Sequence, residues 1–196
     1  MSERALRAAA VAREGGPVRL VPNGAMGMLI FVFTELMLFA GLVSAFTIVR
    51  SSAMMWPPDG QPRLPFEETA VNTLALLASG VLLFIAHRAF RRDPALATWP
   101  LLFSMFLGAC FVALQGVEWV ALIGEGLTVT SSVQGSFFYL IIGLHALHAV
   151  AALGLLAYAW LRLQARCLSP ELLVTAEVLW YFVVAVWPLL YLRVYP

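Results

Sequence analysis

Glu35 lies near the middle of an otherwise uncharged stretch, residues 24–49 (GAMGMLIFVFTELMLFAGLVSAFTIV). Such a stretch is long enough to cross a bilayer. An ionisable group inside one is costly and is usually tied to packing or function. Its chemistry there is narrow: it can accept or carry a proton, or it can hold another helix. The partners it could use are equally few. His145 and His148 stand three residues apart in a second apolar stretch, 134–161, so their rings project from nearly one helical face. Gln115 and Glu118 share that spacing within 98–121, and Glu177 opens 172–192 ahead of Trp180 and Tyr181. A rise of 1.5 Å per residue puts Glu35 about 17 Å from the inner start of its span. His145 lies about as far from the outer start of a span running the other way, and His148 is one turn deeper. Glu35 is therefore expected to bond across the bundle to His148 or His145, either as the protonated acid or as a carboxylate beside an imidazolium. A structural tie between helices, a proton-handling pair, and a lipid or partner contact all fit that arrangement.

The HALH run (145–148) invites a haem or metal reading. Such a site needs further ligands from facing helices. The third histidine, His87, falls at the inner end of another span beside Arg88. No haem, copper or iron is expected in the chain, and the metal set is empty. No Gly-rich phosphate loop, Ser/His/Asp set or pair of catalytic carboxylates can be assembled. Glu67 and Glu68 read as a solvated loop end or as charges on a helix N-terminus. Cys110 and Cys167 make no CxxC or Cys/His spacing and read as free thiols.

The elements that must position these groups follow from composition. The chain has 196 residues, 62% hydrophobic and only 12% charged, where soluble domains carry about 25% charged residues. Stretches 24–49, 70–90, 98–121, 134–161 and 172–192 are each of spanning length. The expected fold is all-α, a bundle of five transmembrane helices over residues 24–196 behind an N-terminal tail, 1–23. A net charge of +1 gives no argument for nucleic acid. All 12 basic residues are arginines. If all five stretches cross, Arg4, Arg7, Arg13, Arg19, Arg88, Arg91, Arg92, Arg162 and Arg166 share one side, and Arg50, Arg63 and Arg193 the other. The positive-inside rule puts the first set, with the N-terminus, in the cytoplasm and the C-terminus outside. The first span does not read as a secretory signal, because it is too long and carries Glu35. The Arg- and Ala-rich leader contains Glu3 and Glu14 and reads as a bacterial cytoplasmic tail rather than a transit peptide. Residues 50–69, with four prolines and Asp59-Gly60, read as an ordered outer loop with Trp56 as an interfacial anchor. Asp93-Pro94 and Gly124-Glu125-Gly126 mark turns. Ser169 and Pro170 read as the N-cap and first residue of the last helix.

Taken in order, the segments resemble the helical core of subunit III of the haem-copper oxidases. The resemblance rests on FTELMLFAGLVSAF (33–46), WPP (56–58), VNTLALLASGVLLFIAH (71–87), FVALQGVEW (111–119), QGSFFYLIIGLHALH (134–148) and LWYFVVAVWPLLYL (179–192). Each piece alone is weak; their joint order is specific. Five spans resemble the short form of the family, without the two N-terminal helices of the seven-helix form. The resemblance implies that Glu35 is the family's buried, carbodiimide-reactive carboxylate. It implies that His145 and His148 are its structural histidine pair, and that Arg162 meets a phospholipid headgroup, with His87 near it at the inner surface. It further implies a subunit with no redox centre of its own. Such a subunit packs on the catalytic subunit I of the oxidase complex, which holds the haem and copper. It binds ordered phospholipid, and it supports proton uptake and catalytic lifetime.

The chain departs from the family pattern in its last helix, with Tyr181 where a His is frequent and Val184 where an Asp is frequent; Glu177 appears earlier instead. A divergent member, accompanying a nitric oxide reductase or a quinol oxidase, is the first alternative. A small stand-alone transporter with Glu35 as its proton site is the second, and it should show broken helices or paired repeats.

Overall fold

The computed structural model describes residues 23–56, 58, 62 and 64–195. The leader arginines, Arg63 and the Asp59-Gly60 turn lie outside the described residues. Five helices form: α1 (Asn23–Ser52), α2 (Phe66–Phe90), α3 (Thr98–Gly124), α4 (Val133–Gln164) and α5 (Pro170–Val194), with a 3-10 turn at Pro94–Ala97 between α2 and α3. All five are long and apolar enough to cross a membrane. The helices run past the apolar stretches at most ends, because polar residues complete the caps. Ser132 accepts from the Gly135 amide at the start of α4, and Ser169 accepts from the Leu172 amide ahead of Pro170. Asp93 accepts from the Ala95 amide and turns the chain into the 3-10 segment. Glu67 and Glu68 fall in the first turn of α2, where the helix dipole favours them.

α5 is the hub. It packs against α1, α2 and α4, while α2–α3 and α3–α4 contacts close the ring around it. Of its most apolar window 56% is buried within the chain, against 11% for α1, which lies on the outside along α5 and touches α4 only lightly. Apolar matching cannot align helices that already lie in lipid, so buried polar bonds and close packing do it. Along the α2–α5 seam the Trp180 indole donates to Ser79 Oγ at 3.1 Å, Trp187 donates to Thr73 Oγ1 at 2.8 Å, and the Tyr191 hydroxyl donates to the Phe66 carbonyl at 2.9 Å. Ser104 of α3 donates to the Ser79 carbonyl at 2.8 Å. Gly108 of α3 is where the Trp180 ring fits, since a Cβ there would collide with the indole.

Candidate functional site

Glu35 and His148 meet across α1 and α4, with Oε2 and Nε2 3.3 Å apart. The distance is that of an ion pair, but Glu35 Oε2 has no well-aligned hydrogen bond. Of the two expected partners, the structure brings His148 to the acid and not His145. The other ring nitrogen of His148, Nδ1, lies 2.8 Å from the Leu144 carbonyl oxygen. A carbonyl only accepts, so Nδ1 carries a hydrogen. Nε2 is then either the lone-pair acceptor of a protonated Glu35 or the second N–H of an imidazolium facing a carboxylate. Phe31, Phe39 and Phe182 surround the imidazole at ring separations of 6.0, 5.8 and 5.5 Å and keep water from it.

His145 is fully buried against the Trp187 ring, 5.1 Å away, and neither of its ring nitrogens has a partner among the described residues. A cavity of about 130 Å³ between α3 and α4 is lined by His145, Gln115, Gly116 and Trp119.

A second carboxylate–imidazole pair links α5 to α2. His87 Nδ1 stands 2.8 and 3.0 Å from the two oxygens of Glu177. By depth alone both residues fall near the same end of their spans, and the fold makes them a pair. Glu177 supplies the acidic contact of the last helix to α2, while Val184 packs against Gly80 of α2, where a Cβ would meet the valine at 3.1 Å.

A third cluster closes the outer end. Gln115 Nε2 donates to the Tyr195 hydroxyl at 2.9 Å, and that hydroxyl donates to Glu118 Oε1 at 2.7 Å. Thr69 Oγ1 lies 2.9 Å from Glu118 Oε2 and 2.7 Å from the Pro65 carbonyl. Burial, with the Glu118 charge beside it, holds the Tyr195 phenol well above its usual range, so it stays a hydroxyl. Gln115 and Glu118 do share a face, as their spacing implies. Tyr195 and Thr69 carried no signal, because one follows the last helix and the other opens a span.

Arg162 is exposed at the end of α4 and donates to the Cys167 carbonyl at 3.3 Å. A cavity of about 610 Å³ at that end is lined by Arg166, Asp93 and Phe90, with neither Arg162 nor His87 in its wall. Cys110 and Cys167 are free thiols. Among the described residues, no three His, Cys, Asp or Glu side chains converge as a metal site would require.

The family model for cytochrome c oxidase subunit III matches residues 12–196. The chain belongs to the cytochrome c oxidase subunit III family. It is 31% identical over 176 residues to a probable cytochrome c oxidase subunit 3 of Nocardia farcinica, covering 87% of this chain and 86% of that protein. It is 34% identical over 179 residues to cytochrome c oxidase subunit 3 of Petromyzon marinus, covering 86% of this chain and 67% of the relative. The corresponding protein of Emericella nidulans is 32% identical over 180 residues. Within this subunit III-family chain, the two Glu–His pairs and the Glu118 cluster are places where the fold brings acidic side chains to polar partners on other helices.

Proposed function

We propose that the chain is an accessory, non-catalytic subunit of a respiratory haem-copper terminal oxidase. In this reading it packs on subunit I, stabilises it within the complex, and helps sustain proton uptake. The haem and copper belong to the partner and none to this chain. The single observation behind the reading is the Glu35–His148 pair: an intramembrane acid met by a histidine of a helix it barely touches otherwise, in a subunit III-family chain. The donor set also argues against a metal on the histidines. His148 Nδ1 is held by the Leu144 carbonyl and Nε2 faces the Glu35 carboxyl, and aromatic rings wall in His145. All five spans are continuous helices, which weighs against the transporter alternative. The proposed membrane is the bacterial cytoplasmic membrane, with the N-terminus inside, on the strength of the arginine distribution. An ordered phospholipid at the inner surface near Arg162 and His87 completes the proposal, because an exposed arginine at a helix end can reach phosphate.

Co-purification tests the reading. A tagged chain expressed in its native membrane should bring down a large haem- and copper-containing oxidase, while the purified chain alone should hold no stoichiometric metal. A haem partner lacking copper that reduces nitric oxide would replace this reading with the first alternative. No haem partner at all would end both.

A further inference from the structure

His145 is the most deeply buried titratable side chain among the described residues, and the proposed function gives it no task. From Val133 to His145 the helical rise is about 18 Å, which sets the ring near the middle of α4. Trp187 and Phe39 stand against the ring, 5.1 and 6.2 Å away. The same side chain lines the cavity of about 130 Å³ between α3 and α4, together with Gln115 and Trp119. Four polar atoms of these three side chains are buried without a partner among the described residues: Nδ1 and Nε2 of His145, Oε1 of Gln115 and Nε1 of Trp119. Packing alone does not explain the set. Unpaired buried polar atoms are costly and rare, and here all four belong to side chains that line one space.

The chemistry of the lining selects its ligand. An indole N–H only donates and an amide oxygen only accepts, while a neutral imidazole offers one of each. The ligand must therefore accept from Trp119 and donate to Gln115, and water does both. No carboxylate lines the space, so a bound cation would keep its charge uncompensated. An apolar guest would leave all four atoms unpaired. Polar cavities of this size hold water, whereas apolar ones stay dry. We propose that this cavity is an internal water site, in which a cluster of about four molecules, at about 30 Å³ each, is held by His145, Gln115 and Trp119. Gln115 joins the cluster to the outer end of the bundle. Its Nε2 donates to the Tyr195 hydroxyl, and that hydroxyl donates to Glu118. The water carries those polar contacts inward from Glu118 to His145, where they stop. Neither Glu35 nor His148 lines the cavity, and Phe39 packs edge-on against both histidines. His145 is thus a water-holding residue, whereas His148 pairs two helices. The inference does not depend on what the partner reduces, so it can fail without that reading failing.

The test uses the chain in its purified complex, imaged by cryo-electron microscopy at a resolution that shows ordered water. The second readout is solid-state NMR of the complex in membranes, with isotope-labelled histidine and tryptophan in this chain and magnetisation that starts on water protons. The expected result is water density touching His145, Gln115 Oε1 and the Trp119 indole, with rapid transfer from water to the His145 ring and the Trp119 indole. The Trp187 indole, bonded to Thr73 in the same core, is the internal control and should receive none. Ala146→Leu fills the cavity and keeps the four polar atoms, and it should abolish both signals. His145→Leu should remove the water beside residue 145 and weaken transfer to Trp119, whereas His145→Gln, which keeps a donor and an acceptor, should retain both. That second pair covers the case of an Ala146→Leu complex that fails to assemble. Water density and transfer unchanged in Ala146→Leu or in His145→Leu overturn the proposal. So does a cavity filled by an acyl chain or by a side chain of another subunit, or transfer to Trp187 as fast as to Trp119.

Discussion

Glu35–His148 and Glu177–His87 are the same chemical pair set at two depths. The first joins α1 to α4 near the middle of the bundle, with 16% and 9% of the two side chains exposed and phenylalanines around the imidazole. The second joins α5 to α2 at the inner end, where Glu177 is 7% exposed but His87 is 29% exposed. The difference lies in what replaces a lost partner. At the inner end water can reach the histidine. At mid-depth nothing polar is at hand, so whichever member remains stays unsatisfied. The mid-depth pair also holds the helix that least of the fold holds otherwise, since α1 is mostly uncovered by the rest of the chain.

The largest effect is expected from Glu35→Ala. It strands His148 Nε2 at a cost of about 1–3 kcal/mol and loosens α1. Within the proposed oxidase, initial turnover should stay near normal while activity decays faster during sustained turnover. The half-life of activity in the haem-replete complex is the measurement. Immediate and complete loss of turnover would place Glu35 on an essential path and break the structural reading. Combining Glu35→Ala with His148→Ala should cost less than the sum of the two, because the pair is lost only once.

The inner pair should be asymmetric. His87→Ala leaves the buried Glu177 without its partner and should cost about 1–2 kcal/mol in thermal stability of the complex, the lower part of the range for stranded polar groups. Glu177→Ala leaves a histidine that water can solvate and should cost roughly 0–1 kcal/mol. Equal losses from the two variants would show that the difference in exposure does not govern the pair.

Tyr195→Phe is expected to cost about 1 kcal/mol, since it removes the hydroxyl that links Gln115 to Glu118 but keeps the ring in place. A melt of the purified complex reads it, and a shift as large as that of Glu35→Ala would move the weight of the bundle to its outer end. The smallest effect is spectroscopic. On transfer to D2O the infrared carboxyl signals of Glu177, assigned with Glu177→Gln, should exchange well before those of Glu35. The reverse order would mean that water reaches the middle of the bundle first.

Much of this was legible in the residues. Five runs of spanning length give five helices, and the Ser169-Pro170 cap works as its residue types imply. The depth of Glu35 narrowed its partners to two, because a span has a fixed rise and few polar groups share any one level. The sequence could not choose between His145 and His148. Their rings differ by one turn, and the choice depends on how α1 rotates and settles against α4 and α5. It could not pair Glu177 with His87 or bring Tyr195 to Glu118, because those residues lie 90 and 77 positions apart and meet only once α5 packs at the centre. Length and polarity along the chain are local properties, so the sequence alone determined the all-helical membrane bundle and the depth of its polar groups. Which groups face each other depends on helix order, rotation and tilt. Those are set by close contacts such as Trp180 against Gly108, and only the tertiary structure decided them.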